Sequence, residues 1–260
     1  MSILIDTYVA LFGVVLGSFF NVVGYRILNN RSILFPRSHC PHCMQVIRSY
    51  DLIPIISYLL LKGKCRKCHH RISLIYPIVE ASTGILFLST FLHATTLEDL
   101  IAQWLLIALI MITLLTDLNK MIIPNQLILS FFIIFVLFRM VFPLNPWWDS
   151  ILASTLICML LTIFALISKG GIGGGDIKLL TIVGILLGTK QLMIGLFLAF
   201  LFGALICGTA RILKLLKKKQ PIPFVPFIAI GLISALFFGD LLFIYYWKAM
   251  LGFSDYYLSN

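Results

Sequence analysis

Charge is scarce in this chain, and negative charge scarcest of all. Asp, Glu, Lys and Arg make up 12% of its 260 residues, with 10 acids against 20 Lys and Arg. Soluble domains carry roughly twice that fraction of charge. Here 60% of the residues are apolar, at a mean hydropathy of +1.05. A water-soluble globule is excluded, and an all-α polytopic membrane protein is expected. A cleavable signal is also lacking. The first apolar run, Ile3 to Val23, has no basic stretch before it and no small-residue cleavage site after it, and it is longer than a signal core. It is expected to be a retained first helix. The polar segments hold no glycine-rich nucleotide loop. No inverted repeat is evident, which weighs against a proton- or cation-coupled transporter.

The positive charge that is present is confined. Nine Lys and Arg residues fall between Arg26 and Arg71, and five between Arg211 and Lys219, four of these in the run Lys214 to Lys219. The positive-inside rule puts both segments in the cytosol. Topology and anionic lipid headgroups account for the net charge of +10, so membrane lipid is an expected partner and nucleic acid is not.

Eight apolar spans are predicted, at about 3–25, 75–93, 99–116, 125–142, 150–167, 176–187, 191–213 and 224–247. They divide the chain into a first transmembrane helix (1–25), a cytosolic loop (26–74) and a seven-helix membrane domain (75–260). With the N-terminus outside, 17 of the 20 Lys and Arg residues lie on the cytosolic side, and only Arg139, Lys190 and Lys248 do not.

That topology brings two acids to one level. Asp117 closes the third span, and Asp176 opens the sixth, directly after the run Gly170-Gly171-Ile172-Gly173-Gly174-Gly175. Glycine permits close backbone approach there, and the following helix aims free N–H groups at the carboxylate. Twelve residues from Asp176 to Leu187 rise only about 18 Å, against a hydrocarbon core of about 30 Å. The glycine run is therefore expected to dip into the membrane, which irregular backbone does only inside protein or beside a water-filled cavity. Asp117 meets the negative end of its own helix, so helix stability does not explain it. Alone, Asp117 reads equally well as a turn residue, and Asp176 has the plainer alternative of an ordinary N-cap. As a pair, one carboxyl can stay protonated while the other ionises, which is what amide hydrolysis requires.

The six cysteines divide by position. Cys40-Pro-His-Cys43 and Cys65-Arg-Lys-Cys68 lie in the basic loop and form two CxxC pairs with 21 residues between them. Four thiolates at this spacing fit a structural zinc site that folds a loop too small for a core of its own. A redox CxxC pair, or substitution of a ligand by His39, His42, His69 or His70, are the alternatives. Cys158 and Cys207 sit inside apolar spans and read as packing residues. Glu80, a turn into the second span, is expected to line the site or pair with a loop Arg, in a supporting role. Asp240 lies in the last span without an evident partner. Gly17 and Ser18 suit close helix packing, and Asn21 a hydrogen bond to a neighbouring helix.

These motifs, in this order, resemble the type IV prepilin peptidases, membrane aspartic proteases of the GxGD type. The resemblance runs through Gly17-Ser18-Phe19-x-Asn21-Val22-x-x-Tyr25-Arg26, the two CxxC pairs around Asp51 to Tyr58, and Tyr76-Pro77-x-Val79-Glu80. It continues in Asp117 with Ile123-Pro124, Gly171-x-Gly173-x-Gly175-Asp176-x-Lys178-Leu179, and Pro223-Phe224-x-Pro226-Phe227. It implies an enzyme that cleaves the leader of prepilins or pseudopilins on the cytosolic side at a Gly-Phe type bond. It further implies N-methylation of the new N-terminus with S-adenosylmethionine. Asp117 and Asp176 match the catalytic dyad; Gly171, Gly173, Gly175 and Lys178 match its supporting motif. Cys40, Cys43, Cys65 and Cys68 match the zinc ligands, and the N-terminal third matches the part linked to methylation. The substrate's apolar helix would enter laterally from the membrane. Asn119 and Asn125 stand where many relatives carry Asp, and Phe224-Val225-Pro226 replaces Phe-Gly-Pro. A zinc-ribbon assembly factor without chemistry is the remaining alternative.

Overall fold

The computed structural model describes residues 2–168, 171–214 and 222–251. Among them there is no strand. The helices are α1 (Ser2–Leu28), α2 (Ile56–Leu60), α3 (Ile75–His93), α4 (Leu97–Lys120), α5 (Asn125–Val141), α6 (Asp149–Ile167), α7 (Gly174–Ile212) and α8 (Val225–Leu251), with a 3-10 turn at Ser49–Leu52. Six are long and apolar enough to cross a membrane, and α5 is a shorter apolar helix. The backbone leaves helical geometry inside α7 at Gly188, so α7 is two arms, 174–187 and 189–212. Counting them separately, the eight expected spans are all present. Gly170 and Lys217 to Lys219, part of the glycine and basic runs, lie outside the described residues. The chain divides into two compact units, Met1–Leu127 and Ile128–Asn260.

In the first unit α1, α3 and α4 pack together. Backbone proximity sets the α1–α3 seam: a Cβ on Gly13 would come within 2.9 Å of the Gly84 Cα, and one on Gly17 within 2.9 Å of the Glu80 Cα. Small residues are what let two membrane helices approach this closely. The expected role of Asn21 is also met, for its Nδ2 donates to the Tyr76 carbonyl across the same seam at 3.1 Å. Leu106, Ile107 and Leu109 of α4 are completely buried. Its ends are capped. Thr96 Oγ accepts the Asp99 N–H at the start. At the end Lys120 donates to Leu28 O and Asn29 Oδ1, each at 3.1 Å, which ties the C-terminal ends of α4 and α1 together.

In the second unit the first arm of α7 lies against α6 and the second arm against α8. A Cβ on Gly184 would meet the backbone of Ala153 and Ser154 at 3.1 Å, and one on Gly195 would meet Leu232 at 2.7 Å. Outward side chains such as Leu137, Met159, Leu166, Phe197 and Leu205 are exposed and apolar, as a lipid-facing surface requires. Cys158 is among the exposed positions on α6. It is not a packing residue, because among the described residues its side chain stays exposed, unlike Ala153 and Ile157, which are buried.

Candidate functional site

The loop between α1 and α2 begins at a buried arginine. Arg26, in the last turn of α1, donates to the carbonyls of Ser32 (3.0 Å), Ile33 (2.8 Å) and Pro36 (2.6 Å). A planar fork with several donors can hold three carbonyls at once. It turns the chain back as it leaves the membrane helix.

Beyond that turn, the two CxxC pairs form matching knuckles. The N–H of Met44 donates to Cys40 O at 2.9 Å and that of Cys40 to Gln45 O at 2.9 Å. In the second pair His69 donates to Cys65 O at 3.0 Å and Cys65 to His70 O at 2.9 Å. Met44 and His69 both take φ of 55° to close these turns. The ligand atoms of Cys40, Cys43, Cys65 and Cys68 all lie within 4.8 Å of one another, and the Cys40 and Cys68 sulfurs are 3.8 Å apart. Zinc–sulfur bonds of about 2.3 Å in a tetrahedron put the sulfurs about 3.8 Å apart, so the donor set and its spacing fit the ion. Backbone N–H groups of Cys68 and Lys67 bond the Cys65 sulfur and draw its pKa from 9.0 down to about 7. No histidine joins this group: His42 and His70 instead stack on each other at 4.4 Å, and His39 contacts Arg31 and Arg37 O.

The loop is tied down at two more places. Arg66 makes a two-point contact with Asp51, at 3.0 and 2.7 Å, and lies over the Tyr50 ring. Where α2 begins, Ile55 donates its N–H to a Glu80 carboxylate oxygen at 2.8 Å. Glu80 is 8% exposed and also bonds the Ser18 hydroxyl. It was expected either to line the site or to pair with a loop Arg; it makes no ion pair among the described residues. A cavity of about 780 Å³ opens here, lined by α1, the start of α3 and the loop, with Ser18, Asn21, Tyr76 and Glu80 in its wall.

The two acids singled out in the sequence lie in different units. Asp117 belongs to the last turn of α4, is 6% exposed, and has fully buried Thr113 and Thr116 close by in sequence. Its carbonyl accepts the N–H of Met121, which closes the helix in the left-handed conformation. Asp176 is half-buried in the first turn of α7, two residues later in the helix than expected, because the helix already starts at Gly174. Gly173 is the N-cap, and a Cβ there would sit 3.2 Å from Asp176 Oδ2, so the carboxylate folds back over its own helix start. Gly171 donates its N–H to Ser168 Oγ at 3.1 Å; Gly175 is half-buried and Lys178 is exposed. The first arm of α7, residues 174–187, rises about 21 Å at about 1.5 Å per residue, still less than the hydrocarbon core.

Three features escape pattern reading. Asp240 does have a partner, Lys190, at 2.7 Å, but both side chains are exposed and such a pair contributes little. The break in α7 is capped from both sides, by Arg139 donating to Leu186 O and by Asp149 accepting from Thr189. The unshared oxygen of Asn21 is the third, and a lone Asn directly after Phe20 gave no signal of it.

Residues 11–94 match the bacterial peptidase A24 N-terminal domain, and residues 104–208 match the type IV leader peptidase family. A prepilin leader peptidase/N-methyltransferase of Bacillus subtilis (strain 168) is 39% identical, over 93% of this chain and 98% of its own length. The protein of the same name in Aeromonas salmonicida (strain A449) is 34% identical over 89% of this chain and 90% of its own. That of Neisseria gonorrhoeae is 31% identical over 79% and 82%. No solved structure matches. Two adjoining family matches and near-full-length relatives agree with the motifs, and the chain belongs to the type IV prepilin leader peptidase family.

Proposed function

We propose that this chain cleaves the leader of type IV prepilins or pseudopilins at a Gly-Phe type bond on the cytosolic side of the membrane, and then methylates the new N-terminal amine with S-adenosylmethionine. The names of its relatives support both activities. In this reading Asp117 and Asp176 form the aspartic dyad. One carboxylate takes a proton from water as it attacks the scissile carbonyl, and the other carboxyl gives its proton to the departing amine. The observation that carries the assignment is the burial of Asp117 at the end of an apolar helix, a position that offers a carboxylate no favourable dipole. Gly171, Gly173 and Gly175 let the substrate backbone come close to Asp176, and exposed Lys178 offers a cation beside it. The substrate's own apolar helix enters sideways from the lipid, its basic leader remaining in the cytosol.

The first helix (1–25) and the loop (26–74) then serve methylation, and the membrane domain 75–260 carries the peptidase dyad. Cys40, Cys43, Cys65 and Cys68 would hold a zinc ion whose part is to fold the loop, since four cysteine ligands leave no open position on the metal.

The test is the N-terminal mass of a pilin-like substrate co-expressed with the chain, which reports cleavage and methyl addition together. Asp117→Asn and Asp176→Asn are each expected to lower cleavage by about 10²–10⁴-fold, the range for a lost general acid or base, with zinc content unchanged. Undiminished cleavage in either variant removes the dyad, and is what a non-catalytic assembly factor would give.

A further inference from the structure

A methylated amine has to be held, deprotonated and kept dry. Asn21 and Glu80 offer the first two at one place. Asn21 is 5% exposed and its Nδ2 is committed to the Tyr76 carbonyl. Turning the amide over would set oxygen against oxygen, so the orientation is fixed. That leaves Oδ1 buried with no hydrogen-bond partner. An orphaned buried acceptor costs about 1–3 kcal/mol, and a native structure keeps one where a ligand completes it. Glu80 lies a turn from Tyr76 on α3, as Ser18 lies a turn from Asn21 on α1, so the pairs face each other across one seam. Glu80 accepts from Ile55 N–H and from Ser18, has neither Lys nor Arg in ion-pair reach among the described residues, and is 8% exposed. A carboxylate removed from water without a counter-charge, next to an acceptor without a donor, is a site that lacks an ammonium group. Both line the cavity of about 780 Å³, a size in the range of small-ligand sites. That leaves room for the end of a peptide and a nucleoside-sized methyl donor together.

We propose that the cavity between α1, α3 and the cysteine loop is the methyl-transfer chamber, in which Asn21 Oδ1 and the Glu80 carboxylate bind the freshly exposed N-terminal ammonium of the processed substrate. This takes from the proposed function only that such an amine is methylated by this chain. Glu80 is then a catalytic residue. It removes one proton from the ammonium. The freed nitrogen pair attacks the methyl carbon of the sulfonium donor, forming the N–C bond as the C–S pair returns to sulfur. The product is a secondary ammonium with two protons and an uncharged thioether, and the proton on Glu80 passes to water. Asn21 holds the nitrogen in line throughout. The Ile55 N–H ties the start of α2 to Glu80, which links the shape of the cysteine loop to the position of the base.

The experiment uses the full chain in detergent and a synthetic pilin-like peptide that already begins with a free N-terminal Phe, so that cleavage is bypassed. Glu80→Gln is expected to slow methylation of this peptide by at least about 100-fold, the lower range for a lost general base. Its affinity for S-adenosylhomocysteine should be unchanged. An unchanged methylation rate overturns the proposal. So does a lost affinity for S-adenosylhomocysteine, since the corner would then hold the donor's own ammonium. Asn21→Cys gives an independent reading. The same peptide carrying an N-terminal chloroacetyl group should alkylate Cys at position 21, the thiolate displacing chloride, much faster than it alkylates Cys207, and excess free-amine peptide should suppress the adduct. If Glu80→Gln loses its zinc and fold, this mark decides alone: no adduct at position 21 overturns the site. A wild-type chain that cleaves substrate but never methylates the free-amine peptide defeats the methylation reading itself, and the site with it.

Discussion

Asp149 receives both donors of Thr189, the N–H at 3.0 Å and the hydroxyl at 2.6 Å, at the point where α7 breaks. The break exposes carbonyls at the end of one arm and N–H groups at the start of the next. Arg139 answers the first through its hydrogen bond to Leu186 O, and Asp149 the second. Gly188 between them has φ 76° and ψ −179°, a conformation open to glycine alone, and a Cβ there would fall on the Asp149 carboxylate. Gly188→Ala should therefore cost at least about 1–3 kcal/mol from backbone strain, and more from displacement of Asp149. A thermal melt in detergent is expected to show a clearly lower midpoint than a control such as Gly174→Ala, where a Cβ meets nothing within 4 Å. Equal midpoints would mean that the two arms do not depend on this junction.

Arg26 is a second position where one side chain supports many groups. Its three carbonyl partners lie in the ten residues that follow, and the residue is 9% exposed. Lysine keeps the charge but has a single nitrogen, which cannot reach three separated oxygens in the geometry of a fork. Arg26→Lys should leave carbonyls unpaired, at about 1–3 kcal/mol for each that stays buried. The readout is limited proteolysis of the loop between α1 and α2, expected to quicken about tenfold per 1.4 kcal/mol lost. Protection equal to wild type would show that the turn is held by other contacts.

Much of this architecture was readable because a membrane leaves the backbone few choices. Once the apolar runs are found they must be helices, and the interval from 187 to 191 between two of them marks the break at Gly188 to within a few residues. The cysteine knuckles were readable from spacing, since two ligands per tight turn need CxxC. What was not readable depends on distance along the chain. Lys190 is 50 residues from Asp240, and Asn21 is 55 from Tyr76. No local period records such pairs. Glu80 shows the same limit from the other side: its depth in α3 was evident, but that it would take a backbone N–H instead of an Arg follows only from where Ile55 comes to rest.

The cysteines and the aspartates are expected to separate when tested. Replacing Cys40, Cys43, Cys65 and Cys68 with Ser removes every ligand of the cluster and with it the free energy that a structural zinc contributes to the loop. In the proposed division of labour, methylation then falls far more than cleavage. The check is metal content together with the ratio of methylated to unmethylated N-termini in a processed substrate. Parallel loss of both activities would show that the loop serves the peptidase as well.

The Asp51–Arg66 contact supplies a pH dependence with a definite sign. The Arg66 guanidinium, bonding both oxygens, holds the Asp51 carboxyl below its ordinary value of 3.8, and the charges of Arg66 and Arg48 add to this. The folded loop thus binds that proton less readily than the unfolded chain does. Its contribution to stability is complete above the ordinary carboxylate range and is lost as pH falls through the lowered folded value. Asp51→Asn cannot make this pair at any pH. The loop of the variant should be cut faster by protease than wild type at neutral pH; the difference should begin to shrink below about pH 4 and vanish once the pH lies beneath the lowered folded value. Thiolate protonation would loosen a bound zinc in the same acid range, but it would act on both proteins and leave their difference to report Asp51. A difference that persists undiminished into acid would assign the effect to packing of Tyr50 and Arg66 and not to the carboxylate.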